Sequence, residues 1–143
     1  MLKKHTFWLK VTVFFQLFTA SAHSLSFINK PVAQNETEKQ LIDLMNDYKM
    51  EMGAGFTPSM HDLFTGVSAG FTLLFILGGL INWFLLKVKA DNNILNGIIN
   101  INLLVYGICF IVNFFFTFIP PIICTGLIFL SLILARLTFS KTN

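Results

Sequence analysis

The feature that most constrains this chain is the charge-free run 63–86. As an α-helix it would be ~36 Å long at ~1.5 Å per residue, and a hydrocarbon core of ~30 Å needs about 20 apolar residues. Acidic residues precede the run, and Lys87 and Lys89 follow it closely. We therefore predict a membrane-spanning helix with well-marked ends.

The composition of the whole chain agrees with a membrane protein. Of its 143 residues, 55% are hydrophobic and only 12% are charged, so a soluble fold could not cover its apolar surface. The basic residues do not cluster, and we expect no nucleic-acid partner. Cys109 and Cys124 both lie in apolar runs, which indicates neither a disulfide framework nor a zinc site.

The first 28 residues allow two interpretations. A basic start, the apolar stretch 11–20 and the small residues Ala20-Ser21-Ala22 are typical of a cleaved signal peptide, with a mature chain beginning at His23. Alternatively, 7–28 is a retained first span that contains Lys10, Gln16 and His23. Such a helix suits packing against other helices better than contact with lipid, and Lys10 can reach the headgroups.

The segment 29–62 has a different character, because it holds most of the acidic residues. Asn35 and Glu38 have the spacing of a capping box, and apolar residues then recur at helical intervals. We predict an amphipathic, extracytoplasmic helix over about 36–52, ended by Gly53 and Gly55. Its apolar stripe consists of Leu41, Leu44, Met45, Tyr48 and Met52.

Two further spans follow, over 94–116 and 121–139, separated by Pro120-Pro121. The expected fold is an all-α membrane protein, a single domain of four transmembrane helices in an antiparallel bundle. The rule that cytoplasmic loops are rich in Lys and Arg places both termini in the cytoplasm. One side would carry Lys3, Lys4, Lys10, Lys87, Lys89, Arg136 and Lys141, and the other Lys30, Lys39 and Lys49.

Small and polar residues recur along the predicted spans at the spacing of helix contacts. Without water, such residues bring membrane helices together by close packing and hydrogen bonding. We therefore predict helix-packing roles on the second span for Gly66, Gly70, Ser68, Thr72, Gly79 and Asn82, and on the third for Asn96, Asn100, Asn102, Gly107 and Asn113. The alternative interpretation of the asparagines is a polar path, although no acidic or basic side chain lies deep in these spans.

One cluster is a candidate metal site. If the first span is retained, His23, His61 and Asp62 lie at similar depth, and two histidines with a carboxylate can bind a metal, or two histidines a haem. The simpler interpretation is that Ser59 and Asp62 cap the second span. No catalytic motif and no cofactor fingerprint is present, so we expect neither an enzyme nor a bound cofactor.

Two stretches of the chain are EKQLIDLMNDYKMEMGAGFTPSMHDLFTGVSAGFTLLFILGGLINWFLLK and NLLVYGICFIVNFFFTFIPPIICTGLIFL. Together they resemble a family of small bacterial four-helix membrane proteins with no known activity. The resemblance rests on Gly78, Gly79, Leu80 and Asn82, with His23-Ser24, and it implies a retained first helix. We expect a non-enzymatic membrane subunit or partner-binding protein that contacts the lipid bilayer and associates with itself or with another membrane protein. The alternatives are a small transporter or channel-like oligomer, and a haem- or metal-binding redox accessory.

Overall fold

A computed structural model describes residues 4–28 and 32–140 of the chain, and regular structure in this part is helical, without a β-strand. The helices of the described residues confirm the all-α class, and three of them are long and apolar enough to cross a membrane, which is consistent with a multi-pass membrane protein. The helices are α1 (Lys4–Ser24), extended by a 3₁₀ turn (Leu25–Phe27), α2 (Glu36–Asp47), α3 (Met60–Lys87), α4 (Asn92–Phe116) and α5 (Ile119–Ser140).

The spans predicted over 63–86, 94–116 and 121–139 correspond to α3, α4 and α5, the three membrane-capable helices. Apolar runs bounded by charged or turn-forming residues leave little choice of end point. The helix predicted over 7–28 corresponds to α1, which runs from Lys4 to Ser24 and continues as the 3₁₀ turn to Phe27. It is not among the three helices apolar enough to span, so a fourth membrane span stays a prediction. Lys3, Lys30 and Lys141, used in the charge count, lie outside the described residues.

The helix α1 buries polar as well as apolar side chains and exposes several aromatic rings. Its buried residues recur at helical spacing, and four of the seven are polar. A helix on a soluble protein usually buries an apolar stripe instead. The buried polar side chains are His5, Thr12, Gln16 and Thr19, and the exposed rings include Phe7, Phe14 and Phe18.

The chain forms two compact units, and the first comprises residues 4–20 and 74–140. In it α4 packs on α5, where the Phe110 and Phe129 rings stack with centroids 6.0 Å apart. The helix α1 contacts α5 twice: Thr12 Oγ1 is 2.8 Å from Ser131 Oγ, and the His5 ring lies 4.4 Å from that of Phe139. The fully buried apolar residues of this unit include Leu9, Ile99, Ile128, Leu132 and Ala135.

The second unit, described over residues 21–28 and 32–73, contains α2 and the first part of α3. The Glu38 amide donates to Asn35 Oδ1 at 2.8 Å, which confirms the predicted cap of α2. The predicted extension of this helix to Met52 is wrong, because α2 ends at Asp47 and Tyr48 is already extended.

A hairpin-like turn replaces the expected last part of α2. The Met50 amide donates to Pro58 O at 2.9 Å, and the Met52 amide donates to Phe56 O at 3.0 Å. The turn has positive φ values at Gly53, Ala54 and Gly55, a conformation that glycine adopts without steric cost. The two glycines predicted to end the helix therefore reverse the chain and return it to the start of α3.

Candidate functional site

The candidate functional site is a chain of three carboxamide side chains in the first unit, from Gln16 of α1, Asn82 of α3 and Asn102 of α4. Asn82 Nδ2 donates to Gln16 Oε1 at 3.0 Å, and Asn102 Nδ2 donates to Asn82 Oδ1 at 3.1 Å. Gln16 and Asn82 are 0% exposed. Buried amides are costly unless they are hydrogen bonded, so these bonds favour one arrangement of the three helices. We call this set the carboxamide chain.

Adjacent glycines of α3 make room for the carboxamide chain. A Cβ atom on Gly79 would lie 2.8 Å from Leu17 Cδ2, and a Cβ atom on Gly78 would overlap the Tyr106 hydroxyl. Real Cβ atoms essentially never come so close to other atoms. The glycine pair therefore allows α1 and the Tyr106 side chain to approach the α3 backbone one turn before Asn82.

Tyr106 of α4 closes one end of this site. The side chain is 2% exposed, and its ring lies 5.8 Å from that of Phe75. Its hydroxyl lies next to the Gln16 amide. The hydroxyl and Gln16 Nε2 are close enough to hydrogen bond to each other, although neither atom meets the geometric limits of a bond to any described residue. Tyr106 and Gln16 are therefore each other's nearest polar partner at this end of the site.

The chemistry open to these groups is that of neutral donors and acceptors. Carboxamides and a phenol can bind uncharged polar groups and fix the contacts between helices. They do not supply the carboxylates or cationic side chains that usually line ion and proton paths in membranes. The geometry therefore suits a structural role or the binding of a small neutral group.

The other asparagines of α4 lie in different surroundings. Asn113 Nδ2 donates to Cys109 O at 2.8 Å, which satisfies the amide within its own helix. Asn96 is half-buried, and Asn100 is exposed. The structure therefore brings only Asn102 of this set into the carboxamide chain. On the same helix Gly107 packs close to α5, because a Cβ atom there would lie 3.0 Å from Phe129 Cε2.

The predicted packing residues in the first part of α3 are less closely packed. A Cβ atom on Gly66 or Gly70 would meet nothing within 4 Å. The Thr72 hydroxyl donates to Ser68 O at 3.1 Å, a bond within its own helix. In the second unit, the described residues therefore leave Gly66 and Gly70 uncovered.

The structure does not bring His23, His61 and Asp62 together as a metal site. In the described residues, no group of three or more His, Cys, Asp or Glu side chains could hold a metal ion. The His23 ring packs near those of Phe27 and Phe71, and His61 is exposed.

Asp62 instead closes the N-terminal cap of α3. Its carboxylate accepts from the Ser59 amide and hydroxyl, each at 2.8 Å, and the Asp62 amide donates back to Ser59 Oγ at 3.1 Å. Lys49 Nζ adds an exposed ion pair at 3.3 Å. This is the reciprocal bonding of a capping box, as the Ser59–Asp62 spacing predicts.

The sequence predicts no partner for Gln16 and no packing role for Gly78. Gln16 carries a signal of its own, since a polar residue in an otherwise apolar stretch needs a partner in the membrane. Its partner could not be read from spacing, because that depends on which helix faces are opposed.

Comparison of the chain with protein-family models, with curated proteins and with solved structures finds no match. Function is therefore inferred from the residues and their contacts.

Proposed function

We propose that the protein is a small, non-enzymatic membrane subunit that binds a partner protein through the apolar stripe of α2. The observation that carries this proposal is that α2 has no buried residue. Leu41 and Leu44 are 56% and 61% exposed, and Tyr48 and Met52 continue the exposed apolar surface beyond the helix. An amphipathic helix usually buries such a stripe, so a binding surface is the natural role for one left open.

The charge of α2 favours a protein partner over the lipid surface. The helix is acidic, because Glu36, Glu38, Asp43 and Asp47 outnumber Lys39. Helices that lie on membranes are typically rich in Lys and Arg, because lipid headgroups are often anionic. An acidic helix suits a partner with an apolar groove and a basic rim.

Four membrane spans are part of the same proposal, with α1 as the first. The distribution of side chains on α1 supports this, since exposed aromatic rings suit lipid and buried polar residues suit helix contacts. Loss of residues 1–22 would leave Asn82 without its Gln16 partner and Ser131 without its Thr12 partner. A retained first span explains these contacts better than a cleaved signal peptide.

The antiparallel arrangement is supported by the pairing of α4 with α5. Phe110 approaches Gly126, while Gly107, earlier on α4, approaches Phe129, later on α5. The excess of basic residues at both termini and at Lys87 and Lys89 then favours a cytoplasmic location for both ends, in a bacterial inner membrane. In this topology α2 lies outside the cytoplasm.

The test is crosslinking in native membranes, followed by purification of the tagged chain. We expect a crosslinked partner with the wild type, its loss with the double variant Leu41→Ser and Leu44→Ser, and its retention with the control Gln40→Ser. All three positions are exposed on α2, so the substitutions should leave the fold intact. Recovery of the same product from the double variant, or of the chain without any partner, would refute the proposal.

A second candidate function is a small transporter or channel-like oligomer for neutral solutes, and the buried carboxamide chain favours it. Flux of an uncharged solute into proteoliposomes that depends on Asn102 would support this role. If Asn102→Leu folds normally and changes no flux, the polar-path hypothesis fails.

A further inference from the structure

Asn100 is an exposed carboxamide in the interior of a membrane-capable helix. It lies eight residues after Asn92, the first residue of α4, a distance of ~12 Å along the helix axis. No described residue hydrogen bonds to its side chain within the geometric limits met by Asn102 and Asn113. A polar amide that faces hydrocarbon is unfavourable unless it finds a partner.

The residues that share the face of Asn100 are also uncovered. Gly97, one turn earlier, is open, because a Cβ atom there would meet nothing within 4 Å. Leu104, one turn later, is 66% exposed. This exposed surface continues along the whole helix at intervals of three and four residues. We call it the Asn100 face, and it consists of Asn93, Gly97, Asn100, Leu104, Ile108, Ile111 and Phe115.

We propose that the Asn100 face binds the same face of a second copy of this chain, with the two Asn100 side chains hydrogen bonded to each other. A carboxamide has both a donor and an acceptor, so it is complementary to itself. Two copies with the same orientation in a membrane can be related by a two-fold axis, which places each residue of the face opposite its own equivalent. Each Asn100 side chain then donates a hydrogen bond to the other and accepts one from it.

Gly97 adds a steric reason for the same pairing. Small residues allow membrane helices to approach closely, and closely packed helices can form hydrogen bonds between side chains. Gly97 is adjacent to Asn100 on this face, so two copies can approach at the level where the amides meet. The apolar residues from Leu104 to Phe115 would pack along the remaining length. The inference does not depend on the partner proposed for α2.

The open glycines of α3 provide a matched comparison. Gly66 and Gly70 are as uncovered as Gly97, but no asparagine lies between them. A small-residue pair alone is a weak signal of association. A Cβ atom added at any of these positions meets nothing within 4 Å in one chain, so a larger residue there mainly tests contacts with a second chain.

Association is measured by fluorescence energy transfer between labelled chains in liposomes at a series of protein-to-lipid ratios. We expect the wild type to form a dimer. Asn100→Leu should weaken the association about tenfold or more, and Gly97→Leu should abolish the dimer. Gly66→Leu should behave as the wild type. A monomeric wild type, or loss of the dimer with Gly66→Leu but not with Gly97→Leu, would overturn the proposal.

Oxidative crosslinking gives an independent measurement of the face. Leu104→Cys should form a covalent dimer, since a two-fold axis places this position opposite itself. Val105→Cys is the control, because Val105 is also exposed but points about 100° away on the helix. Native Cys109 and Cys124 are free thiols in both variants, so the wild type gives the background crosslinking that is subtracted from each. Equal crosslinking of the two variants contradicts the proposed face.

Discussion

At the scale of single residues, the carboxamide chain shows which part of the site a sequence can predict. Asn82 and Asn102 are recognisable as packing residues because polar amides in apolar helices need partners. Their bonds to Gln16 and to each other are not recognisable, since the partner depends on how the helices are rotated. Asn100 and Asn102 illustrate the difference, because their positions in the sequence look alike but one is exposed and the other is buried.

Gly78 is the glycine of the described residues at which an added Cβ atom would come closest to a neighbouring atom. A methyl group there overlaps the Tyr106 hydroxyl, so we expect Gly78→Ala to destabilise the fold by about 1–3 kcal/mol, as overpacking generally does. Unfolding of the purified protein in mixed micelles measures the free energy of unfolding.

The partner of this clash can be removed to test its cause. Tyr106→Phe deletes the phenol oxygen, so the double variant Gly78→Ala with Tyr106→Phe should recover part of the lost stability. Gly66→Ala is the control, because a Cβ atom there meets nothing within 4 Å. Equal destabilisation by Gly66→Ala would show that the effect comes from the loss of a glycine and not from Tyr106.

At the scale of the helices, the apolar runs predict α3, α4 and α5 because each is long and bounded by charged or turn-forming residues. The end of α2 could not be predicted in this way. Tyr48 and Met52 continue its helical periodicity, and only the hydrogen bonds from Met50 to Pro58 and from Met52 to Phe56 show that the chain has left the helix. Those bonds join residues whose pairing the apolar spacing does not reveal.

The cap of α3 leads to a prediction about one helix end. Ser59 accepts from the Asp62 amide and donates to its carboxylate, so Ser59→Ala should weaken the first turn of α3 by about 1 kcal/mol. Faster amide hydrogen exchange at Leu63 and its neighbours is the expected readout. Thr57→Ala, at a nearby exposed position, should leave the exchange rates unchanged. Equal protection in the Ser59 variant would show that the cap does not hold this turn.

At the scale of the whole molecule, the described residues include many buried polar side chains and many exposed large apolar ones. On α1, aromatic rings lie on the exposed face, and polar residues contact α3 and α5 within the first unit. These polar residues lower the mean hydropathy of α1, which explains why it is less apolar than the three membrane-capable helices. We therefore propose α1 as a fourth span from its helix contacts and not from its hydropathy.

The fate of α1 is therefore the prediction with the widest consequences. Gln16, Thr12 and His5 each contact a helix that lies later in the chain, so we expect residues 1–22 to remain in the membrane-extracted protein. Intact mass spectrometry measures this directly, and treatment of the cells with a signal-peptidase inhibitor should leave the mass unchanged. A chain that begins at His23 would remove these contacts and would contradict the four-span proposal. In that shortened chain Asn82 would lack the Gln16 amide, so Asn82→Leu should stabilise the protein. In the intact chain the same substitution should destabilise the protein.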